Sequence, residues 1–256
     1  MIYSKYSIIF KKKQVFSMKI NLKSIFQKIL DILFPWKCLV CYNYTNKNWP
    51  ICDECWNKIH KEKHFFCPTC NTPIDQNFEY CHQNNILGYS HVLNFSDKEI
   101  KQLVYYFKYQ GITTLKERLA KFMLIPLLEY KQIFLKEKWI LIPIPLHKLK
   151  ERKRGFNQTN LLAKEIIKYF PLELNNKILI RTKNNPPQAQ LKTRQQRFKN
   201  SENIFDINKE QLIKIKNKNI ILLDDVYTTG ATLNSAANLL KQNGANKIIA
   251  LCLAKE

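Results

Sequence analysis

A chain of 256 residues has room for one full domain and a smaller companion, and enough length to bury a real core. Forty-two basic side chains against twenty acidic ones leave a formal charge of +22 and a pI near 9.6. That excess points to a polyanionic partner such as nucleic acid or to phosphorylated substrates, with a lysine-rich solvated surface as the plainer reading. Charged residues break every apolar run short of the roughly twenty residues of a membrane span, and residues Met1 to Ile20 have no apolar core with a cleavage site behind it. The expectation is a cytoplasmic chain without a transmembrane segment.

In chain order, residues 1–35 read as a basic extension that ends in an amphipathic helix. Leu22, Ile25, Phe26, Ile29, Leu30 and Leu33 fall on one helical face, suited to docking on the chain's own fold. Residues 36–86 hold seven of the eight cysteines. Cys38-x-x-Cys41, ten residues and Cys52-x-x-Cys55 make one ribbon pattern, which Cys67-x-x-Cys70, ten residues and Cys81 repeat. Each knuckle turns two thiolates toward one centre. Four at tetrahedral reach are the structural Zn2+ arrangement, which stabilises a unit too small to draw on a core. Disulfides are the alternative, disfavoured by the paired CxxC spacing and the lack of a secretory signal. Where the second copy calls for a last cysteine it has Asn84. His82 sits beside Cys81, where its backbone direction is poor, and His60 and His64 are outside candidates. One secure zinc site and one incomplete site are therefore expected.

Residues 87–256 alternate between helical and strand patterns, which predicts an α/β fold: a parallel sheet flanked by helices, with ligands at the carboxyl ends of the strands. Helical spacing covers Lys98 to Tyr109, and a second helix runs from about Thr114 to Tyr130 with an irregularity at Pro126. Trp139 to Ile144 reads as a strand leaving through Pro143 and Pro145. From His147 to Gln158 a basic loop delivers Lys148, Arg152 and Arg154 to that strand's carboxyl end, where planar guanidinium forks suit a diphosphate. Asn157 or Thr159 caps a helix through Tyr169, Lys177 to Ile180 is a short strand, and Arg181 to Phe205 is a long polar loop of the length that reads as a lid or as disorder. Lys247 to Leu253 is the last strand, with Cys252 a buried thiol.

The densest chemistry lies in Ile220 to Thr232. A buried strand, Ile220 to Leu223, runs into Asp224 and Asp225. A hydroxyl-rich loop then leads into a helix marked by Leu233, Ala236, Ala237 and Leu240, closing at Asn243 and Gly244. Free amides and the positive end of the helix dipole face such a loop, so it suits a phosphate, and two carboxylates beside it accept from vicinal sugar hydroxyls. The ligand inferred is a sugar phosphate. A plain N-cap explains neither the two acids nor three threonines around a glycine, and no G-x-x-x-x-G-K-[ST] supports an NTPase.

This segment resembles the signature by which type I phosphoribosyltransferases bind PRPP, 5-phosphoribosyl 1-diphosphate. The resemblance implies that Asp224 and Asp225 hold the ribose hydroxyls while Val226, Thr228, Thr229, Gly230, Ala231 and Thr232 wrap the 5'-phosphate. Together with the cysteine ribbons, Phe107 to Gly111, Ile142 to Gln158, and Gln188 to Arg194, the chain resembles the ComF family. That implies a zinc-ribbon module fused to a phosphoribosyltransferase domain acting in natural competence, DNA uptake and transformation, with other competence proteins as partners. It also implies pentosyl transfer from PRPP with Mg2+, diphosphate being held by Arg152, Arg154, Lys108 and Lys148, and the acceptor left open. The other reading is a non-catalytic single-stranded DNA-binding protein that keeps the PRPP pocket as a sensor or relic.

Overall fold

Apolar runs with no charge to expose on either side can be buried only if both faces of their sheet are covered. Ile220–Leu223 and Ile248–Leu253 are such runs, and they form two of the three interior strands of a five-stranded parallel sheet in a computed structural model that describes residues 36–45, 50–75, 78, 81–184 and 204–256. The amphipathic pattern of Leu22 to Phe34, and Gln188, Arg194 and Arg197, lie outside the described residues. The strands are β1 (Gly88–Asn94), β2 (Trp139–Pro143), β3 (Glu173–Leu174), β6 (Asn219–Tyr227) and β7 (Ile248–Lys255), ordered β1-β7-β6-β2-β3. Between β3 and β6, β4 (Leu179–Arg181) and β5 (Phe205–Ile207) pair as a separate antiparallel ribbon.

The period-2 alternation of strand side chains divides the core in two. Leu141, Ile221, Leu223, Ile249 and Leu251 pack on one side with α2 (Lys98–Tyr109), α3 (Leu115–Glu129) and α6 (Gln158–Ile166). Ile140, Ile142, Ile220, Leu222 and Ala250 pack on the other with α7 (Ala231–Gln242) and the β4–β5 ribbon. The short helices α1 (Asp53–Lys58), α4 (Lys131–Lys136) and α5 (Lys148–Arg154) and a 3-10 turn, Lys209–Lys214, complete the elements. Among the described residues no helix is long and apolar enough to cross a membrane.

Three sequence expectations shift. The acid-pair strand does not end at Asp224 and Asp225: β7 offers a partner farther on, pairing Asp224 with Cys252, Val226 with Ala254 and Tyr227 with Lys255. The basic stretch after His147 is a helix, α5, closed by Gly155 at φ +84°, and not an open loop. The long loop after Arg181 is rooted on the β4–β5 ribbon, where Arg181 pairs with Phe205 and the Thr182 amide donates to the Ile204 carbonyl at 2.9 Å. Strand β1 had no apolar run to announce it; a parallel partner on β7 makes it a strand.

The cysteine-rich segment is packed onto this sheet. Trp56 of α1 stacks on Phe122 of α3, centroids 3.7 Å apart and 12° between planes, while the Arg118 guanidinium lies 4.8 Å from the Trp56 ring and pairs with Asp53 at 2.9 Å. Phe66 exchanges two backbone hydrogen bonds with Tyr89 of β1, and the Tyr130 hydroxyl donates to the Ile74 carbonyl. Apolar contact is continuous from Cys38 and Phe65 to Leu251, so the chain is expected to unfold in one transition. Phe122→Ala removes a fully buried ring from this seam and is expected to cost about 3 to 5 kcal/mol, measured by urea denaturation. A separate early transition for the cysteine segment in the parent would contradict the shared core.

Candidate functional site

The two cysteine patterns each close on a centre. Cys38, Cys41, Cys52 and Cys55 place their sulfurs within 4.8 Å of one another, and Cys67, Cys70, Cys81 and His82 do the same with three sulfurs and an imidazole nitrogen. All eight cysteines are free thiols. The Cys41 and Cys52 sulfurs are 3.8 Å apart, far beyond a disulfide and equal to the edge of about 3.8 Å expected for a tetrahedron of Zn–S bonds near 2.3 Å. Backbone amides of Val40 and Cys52 donate to the Cys38 sulfur, and that of Cys55 to Cys52, which favours the thiolate a metal requires. His82 brings Nδ1 to 3.4 Å from the Cys67 sulfur, while the Asn84 side chain turns away to donate to Thr69. The residue beside a ligand does complete the second set, because the chain bends at Cys81 and the imidazole reaches back. Both donor sets fit structural zinc. Elemental analysis of the purified chain is expected to give about two zinc per chain, falling to about one in His82→Ala with a lower melting temperature; one zinc in the parent would leave the second set without metal.

At the carboxyl ends of β2 and β6 opens a cavity of about 940 Å³. Asp224 and Asp225 form its floor. Successive residues of a strand point to opposite sides, so the two acids are met from different layers. Lys108 of α2 pairs with Asp225 at 2.8 Å, and the buried Gln158 at the start of α6 donates its amide to the other oxygen of Asp225. Gln158 in turn accepts from Arg154. Asp224 accepts the Asp225 amide at 2.8 Å. Burial, and then the charge of Asp225, push the Asp224 carboxyl up to about 7, against the pull of that amide, Lys108 and Arg181.

Cations form the opposite wall. Lys150, Lys153, Arg154 and Arg181 line the cavity. Burial holds Lys150 below the usual lysine range, with Arg181 and Arg154 adding to the effect. Arg181 is lowered by burial too, and among the described residues its buried Nε has no hydrogen-bond partner. Three cations crowding one another around an unpaired donor are arranged for an anion. Of the sequence-based diphosphate candidates, Arg154 and Lys108 line the cavity, whereas Lys148 and Arg152 lie on the exposed side of α5. Once the stretch is helical, only residues three or four apart share a face, and Lys150, Lys153 and Arg154 are the set turned inward. Lys150 and Arg181 were not singled out from sequence: one looked like part of a charge run, the other like the start of a loop.

The phosphate loop is short. Gly230, at φ +73°, ends it, and a Cβ there would lie 2.7 Å from the Tyr227 hydroxyl, so only glycine fits. Helix α7 then starts at Ala231, whose amide leans weakly on the Thr229 hydroxyl at 3.4 Å. Thr228, Val226 and Thr232 line the cavity beside the acids. The loop's floor is braced from the second cysteine set: Tyr227 stacks on Tyr89, centroids 4.1 Å apart, and the Tyr89 hydroxyl, which accepts from Lys255, donates to Asn71 next to Cys70.

The raised Asp224 has a consequence for stability. With a folded pKa of about 7 against an ordinary 3.8, the folded chain keeps a proton there that the unfolded chain loses, so stability falls as pH rises through that window and the cost is full above it. His91 acts with the opposite sign: burial, then Lys255, hold it down at about 4, so its contribution is lost as pH falls below the unfolded value near 6.5. Asp224→Asn is expected to stabilise the ligand-free chain by about 1 to 2 kcal/mol at pH 8, with the gain vanishing toward pH 4 in urea titrations. A loss of stability at pH 8 would contradict the assignment.

Residues 29–84 match the double zinc ribbon domain, and residues 154–256 the phosphoribosyl transferase domain. Competence protein F of Haemophilus influenzae is 28% identical over 225 residues, spanning 80% of this chain and 96% of that protein. Competence protein ComFC of Bacillus subtilis is 28% identical over 225 residues, covering 82% and 84%. DNA utilization protein YhgH of Escherichia coli O157:H7 is 24% identical over 215 residues, covering 81% and 91%. Among solved structures, a hypoxanthine phosphoribosyltransferase from Staphylococcus aureus is similar over 55% of this chain and 65% of its own, at 15% identity and a TM-score of 0.35, too slight a likeness to carry an argument. With a double zinc ribbon domain followed by a phosphoribosyl transferase domain on a parallel sheet, the chain is similar to competence proteins of the ComF type over about 80% of its length.

Proposed function

We propose that the cavity binds PRPP with Mg2+ and serves phosphoribosyl transfer in a cytoplasmic step of competence, DNA uptake and transformation. The observation that carries this reading is one cavity with two carboxylates on its floor, a glycine-closed helix N-terminus on one side and three crowded cations on the other. The two domain matches and the names of the relatives support the competence role.

In this reading Asp224 and Asp225 accept the ribose hydroxyls, Asp225 exchanging the Gln158 amide and Lys108 for ligand donors. Amides at the start of α7, with Thr228, Thr229 and Thr232, take the 5'-phosphate. Arg154, Lys150 and Arg181 take the diphosphate, in place of the Arg152 and Lys148 expected from sequence. Mg2+ bound to the ligand supplies further charge neutralisation while keeping much of its water shell, so it needs few protein ligands. In transfer, the bond from the anomeric carbon to diphosphate breaks as the acceptor's lone pair forms the new one. The chain's contribution is to stabilise the charge that gathers on diphosphate and to keep water out.

A second reading, single-stranded DNA binding with PRPP as a sensed ligand or with the pocket as a relic, is favoured by the +22 charge. Calorimetry with PRPP, with and without Mg2+, separates these. Asp224→Asn with Asp225→Asn presents donors where acceptors are wanted, at about 1 to 3 kcal/mol for each mismatch, so binding is expected to fall by more than about tenfold with the fold retained. Unchanged affinity in the double variant would remove the acid pair from the ribose site. Binding without diphosphate release in the presence of amines, bases or DNA ends would favour sensing.

A further inference from the structure

The outer wall of the cavity is one face of α2, of which the proposed transfer involves only Lys108. Lys101, Tyr105, Lys108 and Tyr109 stand three or four residues apart, or adjacent, so all reach the cavity side of the helix. Lys108 turns inward to Asp225. Tyr105 and Tyr109 remain at the rim, 50% and 59% exposed, with ring centroids 5.4 Å apart. Rings left open on a helix whose core-facing residues Ile100, Leu103, Val104 and Phe107 are already buried add nothing to its docking. They are surrounded by cations: the Arg154 guanidinium is 5.2 Å from the Tyr109 centroid, and Lys101 and Lys153 border the same opening. Open aromatic faces interleaved with cations are the chemistry that holds unpaired bases and their phosphates.

We infer that Tyr105 and Tyr109 are a stacking shelf on which single-stranded DNA lays its bases at the mouth of the cavity, with its phosphates on Lys101 and Lys153. Both rings are about half exposed, which suits a base held in place by the strand on either side of it; a free base would need enclosure on both faces. Six cations line the cavity against three acids, Asp224, Asp225 and Glu256, so a polyanion is favoured. The shelf is joined to the acid pair: Arg154, beside the Tyr109 ring, donates to Gln158, which donates to Asp225. A ligand that takes over Asp225 frees the Gln158 amide and changes what holds Arg154, so sugar phosphate and strand affect each other's affinity by the same factor. That coupling rests on the PRPP reading; the shelf itself does not.

The test is fluorescence anisotropy with a labelled oligo-dT and an abasic strand of equal length, on the full zinc-loaded chain, with PRPP calorimetry on the same samples. Tyr105→Ala with Tyr109→Ala is expected to weaken oligo-dT binding by about tenfold or more. It should leave the abasic strand, the salt dependence and PRPP affinity as in the parent, since phosphate contacts remain. Tyr105→Phe with Tyr109→Phe should retain binding, because the ring and not the hydroxyl does the stacking. Unchanged oligo-dT affinity in the alanine variant, or an equal loss for the abasic strand, overturns the shelf. A parent that fails to bind PRPP but shows the tyrosine-dependent loss overturns the sugar-phosphate reading and supports the shelf.

Discussion

Two carboxylates on adjacent residues in the carboxyl-terminal half of a buried strand repel each other, and the rest of the site is built around that repulsion. Nothing in the sheet relieves it, since the strands on either side present apolar side chains and a thiol. The relief arrives from the layers: Lys108 and Gln158 from the helices on one face, Arg181 from the ribbon on the other. Even so the balance is incomplete, and burial with its neighbour's charge leaves Asp224 well above the ordinary carboxyl range. Ligand sites commonly carry such unrelieved electrostatics, which a bound molecule resolves and an empty fold has to tolerate.

The cysteine ribbons do more than hold metal. Their apolar residues are part of the same core as α3 and the sheet, and the Trp56–Phe122 stack with Arg118 fixes the first ribbon's helix on α3. The second ribbon reaches the phosphate loop through three linked contacts: Asn71 to the Tyr89 hydroxyl, the Tyr89 ring to Tyr227, and Tyr227 beneath Gly230. A metal that orders the Cys67–Cys70 knuckle therefore also steadies the loop's floor, because packed rings pass on displacement where a flexible tether would absorb it.

Helix formation after His147 decides which basic residues count. In an open loop each of Lys148, Lys150, Arg152, Lys153 and Arg154 has equal access to the strand end. As a seven-residue helix closed by Gly155, the stretch exposes Lys148 and Arg152 and lines the cavity with Lys150, Lys153 and Arg154. Burial, with the charges of Arg181 and Arg154 adding to it, then lowers Lys150 of the inward set.

What the sequence determined by itself was whatever depends on local pattern. Apolar runs too long to leave a polar face predicted parallel strands, 3.6-residue spacing predicted Lys98–Tyr109, and CxxC spacing predicted one complete metal-binding centre and a second, incomplete one. The acid pair and the threonine–glycine loop were legible because both functions sit on consecutive residues. Only the tertiary structure decided what depends on distant partners. Strand β1 exists because β7 pairs with it. His82 joins the second centre because the chain turns at Cys81. Arg181 enters the site through the β4–β5 ribbon, 43 positions before Asp224 in the chain. Tyr105 and Tyr109 read as an ordinary exposed stripe until α2 is laid along the cavity. Charge, spacing and capping act over a few residues and can be read along the chain. Desolvation and the meeting of cations from separate layers are set only when the layers close.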